Sequence, residues 1–342
     1  MYSYKTVLIF FIIAYITTIG NAQEKNNRYL IAVSKAAHTL SIVNPDTFKV
    51  IATIPAGPNT HEVVVSDDGR MAYISNPGNS DLHEINVIDL VHKKALPSIS
   101  TLPFLGPHGL ALHHNKLWFT AQGSKAVARY NLNDKTIDWA MGTGQDVTHL
   151  IYVKKSDKEF YTTNVQSGTI SLFEHKLLQP ILPPTGKLPP NAKPHWDWVQ
   201  SLIHADKGVE GFDVAKDEKE LWAVAPSGQI TIIDLVSHTL KKQWNTNIKG
   251  AHRLKFTPDG KYVVVVSVAT GAIVKFNAKT YKKMAEVTIA QGGEMLMDDL
   301  QNRLFISCPL VGYIAVVDLN KMKETHRFKV GNRPDGMAWS KQ

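Results

Sequence analysis

The chain has 342 residues, 44% hydrophobic and 20% charged, which is ordinary globular composition with room for one large all-β domain or two smaller domains. The formal charge of +8 and pI near 9.3 come from scattered pairs such as Lys154-Lys155, Lys241-Lys242 and Lys282-Lys283, which read as a solvated basic surface and leave nucleic acid the less favoured partner. The single cysteine, Cys308, excludes an internal disulfide and a Cys-x-x-Cys-His haem attachment.

Lys5 precedes an apolar run from Val7 to Ile16, followed by the small residues Gly20-Asn21-Ala22. This pattern predicts a secretory signal peptide over 1–22. The run is too short for a membrane span, which needs roughly 20 apolar residues. The expectation is an exported protein, periplasmic or secreted, with one domain over 23–342 and no transmembrane segment after cleavage.

From Tyr29 onward the sequence repeats with a period of about 40 residues, the interval of a propeller blade. An apolar strand leads into an Asp-Gly turn at Val63-Val64-Val65-Ser66-Asp67-Asp68-Gly69 and again at Leu254-Lys255-Phe256-Thr257-Pro258-Asp259-Gly260. A second strand follows each turn, from Met71 to Ser75 and from Tyr262 to Ser267. Third strands ending in Asp or Asn recur at Leu40–Asn44, Ile85–Asp89, Val127–Asn131, Ile230–Asp234, Ile273–Asn277 and Ile314–Asp318. Ile170–Phe173 makes the count seven. These segments are β-branched and aromatic with period-two alternation, bounded by Gly, Asp, Asn and Pro. They predict an all-β, seven-bladed β-propeller of four-stranded antiparallel blades. The first blade lacks its innermost strand, and Asp335-Gly336-Met337-Ala338-Trp339-Ser340 is expected to supply it and close the ring, removing exposed sheet edges. An insertion over 177–207 carries Pro180, Pro183, Pro184, Pro189, Pro190 and Pro194. It reads as a loop, within which Trp198 to His204 has room for a short helix.

The repeat units resemble the YVTN-type β-propeller repeat, related to lactonase-like seven-bladed propellers. The resemblance rests on Tyr73-Ile74-Ser75-Asn76, Tyr161-Thr162-Thr163-Asn164, the Pro-Asp-Gly turn and the Ile-Asp strand ends, and it covers nearly all of the chain after the leader. It implies a fold and, by analogy, lactone or ester hydrolysis or a lyase reaction, but fold does not fix function.

Aligning the starts of the innermost strands produces a candidate site. The positions are His61, His108, His149, Glu210, His252, Glu294 and Asp335, separated by 41 or 42 residues except across the insertion and after His61. Four histidines are expected to hold a divalent metal, with zinc, copper, manganese or calcium as candidates, and Glu210, Glu294 and Asp335 to act as ligands or proton carriers. The ligand would be a small or carbohydrate-derived molecule in the channel mouth. Glu62 and Arg253 follow ring histidines and by strand alternation should face away. Asn76 and Asn164 are turn residues and candidate substrate contacts, and Trp196 and Trp198 could cap the mouth or pin the insertion. No Gly-x-Ser-x-Gly elbow, phosphate loop or His-Glu-x-x-His pair is present, which disfavours serine hydrolases, nucleotide triphosphatases and zincin proteases. The alternatives are a non-catalytic binding propeller for protein, glycan or another ligand, and a copper redox site.

Overall fold

The computed structural model describes residues 28–341, and the leader expected over 1–22 lies outside the described residues. Twenty-eight strands form seven sheets of four antiparallel strands, with no helix among the described residues. Blades are numbered I to VII in chain order, and the first-listed strand of each is the innermost. Blade II runs Val63–Val65, Met71–Asn76, Glu84–Asp89 and Lys94–Ser100. Blade III runs Pro107–His113, Lys116–Ala121, Ala126–Asn131 and Thr136–Gly142. The middle strands are buried on both faces because neighbouring blades pack face to face, whereas the outermost strands are largely exposed. The core is therefore a set of seams between blades. Ile31 and Val33 of blade I meet Ile74 and Ile88 of blade II, and Trp118 of blade III meets Phe160 and Phe173 of blade IV. Cys308 ends a buried strand of blade VII, where burial pushes its thiol up to about 12.

The repeat signature has a local cause. Asp89 Oδ1 accepts the backbone N–H groups of Val91 and His92 at 3.0 and 2.9 Å, and Asn277, Asp234 and Asp318 make the same pair of bonds in their blades. Where a third strand ends in Asp or Asn, that residue thus caps the turn into the fourth. In the Asp-Gly turns, Gly69 and Gly260 adopt φ of 72° and 68°, a conformation glycine enters without steric cost.

Ring closure is as expected. Pro334–Lys341 pairs with Arg28–Ser34, with Ile31 opposite Ala338 and Leu30 opposite Trp339. A charged knot joins this closing sheet to blade VII. Asp298 is fully buried and accepts from Arg28, from Arg303 Nε at 2.7 Å and from the Leu300 backbone at 3.0 Å. The Arg28 guanidinium also lies 3.8 Å over the Trp339 ring.

The insertion differs from expectation. Thr169–Leu178 and His195–His204 are ten-residue strands paired from Thr169–His204 to Leu178–His195. Residues 198–204 are therefore strand, not helix, and the loop shrinks to 179–194. Trp198 fixes the register by packing its ring 4.9 Å from that of Phe160 and 6.2 Å from that of Trp118.

Burial raises the Asp298 carboxyl, but the Arg303 hydrogen bond and the charge of Arg28 outweigh it and hold it below the ordinary range. Such a depressed group contributes stability that is complete above its unfolded pKa and is lost as pH falls through the folded one. Asp298→Ala strands two partly buried guanidinium groups and should lower the unfolding free energy by about 3–5 kcal/mol in urea titrations at pH 7. The deficit relative to the parent chain should shrink below pH 4; a deficit under about 1 kcal/mol at pH 7 contradicts this role.

Candidate functional site

Each innermost strand enters the channel through a break in its ladder. His61 donates its backbone N–H to the Ser75 carbonyl while the Ser75 N–H bonds the Glu62 carbonyl, so two residues oppose one. Pairing is likewise interrupted around His108, His149 and His252. Such a bulge suspends strict alternation and re-aims side chains. This is why Glu62 and Arg253, expected to face away, join the channel. Arg253 Nη2 lies 2.8 Å from Glu62 Oε1 and 3.4 Å from Glu210 Oε1, and its Nε lies 2.7 Å from Glu294 Oε2.

The pairing also corrects the ring. Met295 pairs with Ile306 as Val63 pairs with Ile74, and the Ser307 N–H bonds the Glu294 carbonyl as the Ser75 N–H bonds that of Glu62. Glu294 is thus the counterpart of Glu62, and Gly293 holds the position of His61. The spacing from His252 and to Asp335 suits either residue, so sequence alone misplaces Glu294 by one.

Two tiers result. The first holds His61, His108, His149, Glu210, His252 and Asp335, with Gly293 leaving a gap. The second holds Glu62, Leu150, Arg253 and Glu294, with Gly109, Gly211 and Gly336 between them. A Cβ on any of these three glycines would collide with the carbonyl oxygen of His149, His252 or His61 on the neighbouring strand. The strands are too close for seven side chains at that depth.

In the first tier His61 Nδ1 lies 2.9 Å from Asp335 Oδ2. The rings of His61, His108 and His149 follow one another at centroid distances of 4.2 and 3.7 Å. Glu210 bridges His149 Nε2 at 3.6 Å and His252 Nδ1 at 3.4 Å. Lys35, unforeseen from sequence, places Nζ 4.0 Å from Asp335. Beneath the tiers a cavity of about 130 Å³ is lined by Glu62, Leu150, Asp213, Lys255 and Glu294. A larger groove of about 750 Å³ between blades V and VI is lined by none of these channel residues.

Burial, reinforced by the neighbouring imidazoles, holds His108 well below its ordinary value. Burial takes His149 down to about 3 against the pull of Glu210, and lowers His252 in the same way. For His61 burial acts downward too, but the Asp335 carboxylate prevails and raises it. Burial would raise Glu210, yet His149 and Arg253 bring it to about 2. Burial lifts Glu62 to about 7 despite Arg253. The first tier therefore combines three imidazoles held neutral, His108, His149 and His252, with the ionised carboxylates Glu210 and Asp335, the protonation states in which both can donate lone pairs.

The other candidates lie elsewhere. Asn76 donates to Asn86 Oδ1 at 2.6 Å and accepts from the Asn59 backbone at 3.0 Å, while Asn164 donates to Thr169 and Ser171 at 3.0 and 2.9 Å. Both amides are buried and tie strands within their own blades. Trp196 and Trp198 stand on the outermost strand of blade IV, three strand spacings or roughly 14 Å from the innermost one. Trp196 is exposed and stacks on His175 at 5.2 Å. The structure brings neither tryptophan to the channel.

No protein-family model matches the chain, and no curated protein matches its sequence. Solved structures match over nearly all of it. A proposed 6-phosphogluconolactonase of Bacteroides fragilis is 12% identical with a TM-score of 0.72, covering 92% of this chain and 99% of its own. The hydrazine synthase of Kuenenia stuttgartiensis is 16% identical with a TM-score of 0.64, covering 80% and 87%. The dihydro-heme d1 dehydrogenase NirN, in complex with DHE, is 14% identical with a TM-score of 0.61, covering 91% and 74%. At these identities the likeness establishes the propeller fold, with lactonase-like propellers among its neighbours.

Arg253 is 3% exposed and faces three carboxylates. Arg253→Met leaves them buried without a cation and should cost about 3–5 kcal/mol at pH 7. Unpaired carboxyls have raised pKa values, so the variant's deficit should narrow as pH falls from 7 to 5. Chemical denaturation at both values measures this, and a deficit that is small or independent of pH contradicts it.

Proposed function

We propose that the channel mouth is a divalent-metal site at which the protein acts as a hydrolase or lyase on a small, uncharged lactone or sugar-derived substrate. The observation that carries this reading is the first tier itself: four imidazoles, three of them held neutral by burial, beside two ionised carboxylates. Imidazole and carboxylate donors in this mixture suit zinc and its transition-metal neighbours better than calcium. The buried Nδ1 atoms of His108 and His149 have no hydrogen-bond partner, so donor capacity is left over. A bound ion would supply Lewis-acid polarisation of a carbonyl and a lowered pKa for water.

The residues of the chain do the rest. Ionised Glu210, held between His149 and His252, steadies positive charge at the centre, and Glu62, which burial lifts to about 7, can accept a proton. The His61–Asp335 pair can return one, because its imidazole is the ring member with a raised pKa. Arg253 holds Glu62 and Glu294 in ion pairs. The gap at Gly293, where an added Cβ would meet only ordinary contacts, gives a substrate room beside them. Arg253, Lys35 and His61, whose imidazole pKa is raised, are each already paired with a carboxylate, which disfavours a phosphorylated substrate. The leader pattern over 1–22 supports export, so the substrate is one met outside the cytoplasm.

Elemental analysis of protein purified without chelator or affinity tag tests the site. His61→Ala/His108→Ala should hold one equivalent of metal less than the parent chain, and no difference after incubation with divalent ions would make the channel mouth a metal-free binding site. In a screen of unphosphorylated lactones, Glu210→Gln should lower kcat by roughly 10²–10³-fold. Unchanged turnover would remove Glu210 from the mechanism.

A further inference from the structure

A second cluster stands at the far end of the same inner strands. His113 ends the innermost strand of blade III, and His114 begins the turn to Lys116–Ala121. Asp157 lies in the turn of blade IV between Thr148–Val153 and Glu159–Asn164. Five residues separate His108 from His113, roughly 16 Å of extended strand. The cluster is therefore separate from the channel ring.

His114 Nδ1 lies 2.6 Å from Asp157 Oδ2, and His113 Nδ1 touches Asp157 Oδ1. The imidazole centroids are 4.2 Å apart. Among the described residues this is the group of three whose donor atoms all fall within 4.8 Å of one another. The buried atoms His113 Nδ1 and Asp157 Oδ1 have only each other as partners. Two imidazole nitrogens thus converge on one carboxylate, a donor arrangement that a single ion can bridge. Lys116 and Lys154, close by in sequence, are engaged elsewhere, with Asp138 at 2.6 Å and Glu159 at 3.0 Å.

We propose that His113, His114 and Asp157 bind one transition-metal ion of the zinc, copper or nickel class, which staples the inner turn of blade III to that of blade IV. Two imidazoles and one carboxylate make a donor set for these ions and a poor one for calcium or magnesium, which require more oxygen ligands. His114 is largely exposed, so water can complete the coordination shell. The ion would bind the folded chain alone, since 43 residues separate His114 from Asp157 in sequence, and would raise the melting temperature by mass action.

The test is zinc titration of the full chain carrying His61→Ala/His108→Ala, monitored by competition with a chromophoric chelator and by thermal unfolding. One equivalent of zinc should remain. Adding His114→Gln or Asp157→Asn should each weaken it at least tenfold and abolish the zinc-dependent rise in melting temperature, and magnesium should not compete. Absence of zinc binding up to millimolar concentration, or a loss under tenfold in either variant, overturns the proposal. Should the ring variant fail to fold, His114→Gln and Asp157→Asn in the parent chain must each lower the zinc stoichiometry by one, and an unchanged value overturns it. The ring and the staple fail independently, because each is read against substitutions in the other.

Discussion

The crowding of seven inner strands around one axis governs what this channel can contain. At the second tier the strands approach so closely that Gly109, Gly211 and Gly336 have no room for a Cβ. The side chains that remain there, Glu62, Leu150, Arg253 and Glu294, are spaced by those glycines. The bulges that admit the strands to the axis turn the first tier inward as well. Steric necessity thereby places imidazoles and carboxylates in contact across several blades, with no loop needed to hold them.

Charge then organises the site. Taking several carboxyls out of water is costly unless cations accompany them. Arg253 supplies one from within the channel, reaching Glu62, Glu210 and Glu294 together. Lys35 approaches Asp335 from blade I. Burial keeps the imidazoles of His108, His149 and His252 neutral, while His61 stays tied to Asp335. Each cation of the channel is thus already paired with a carboxylate, and in the proposed site none is left over for a phosphate-bearing substrate. The same logic operates at the ring closure, where Asp298 gathers Arg28 and Arg303 beneath Trp339.

Much of the architecture was legible in the sequence because each blade repeats its own local chemistry. The Asp or Asn ending six of the seven third strands caps the turn that follows, so the repeat could be followed from those residues. The closing strand was legible because the first blade visibly lacked an inner strand. The tiers were not legible. A bulge overrides alternation, so Glu62 and Arg253 gave no outward sign of facing the channel, and spacing could not distinguish Gly293 from Glu294. The recurrent Gly after His108, Glu210 and Asp335 was the available signal, since a small residue repeated at one position marks a close approach. The insertion was misread because its prolines concealed a register fixed by Trp198 against Phe160 and Trp118, a contact between blades. The His113–Asp157 contact likewise depends on two turns meeting in space.

The central claim is that the first tier is a metal site. Anomalous diffraction at the zinc edge, from crystals grown with zinc and without chelator, tests it most directly. The account predicts a peak roughly 2.0–2.1 Å from at least two nitrogens among His61, His108, His149 and His252. Ordered zinc elsewhere on the molecule, with only water among those four imidazoles, would contradict it.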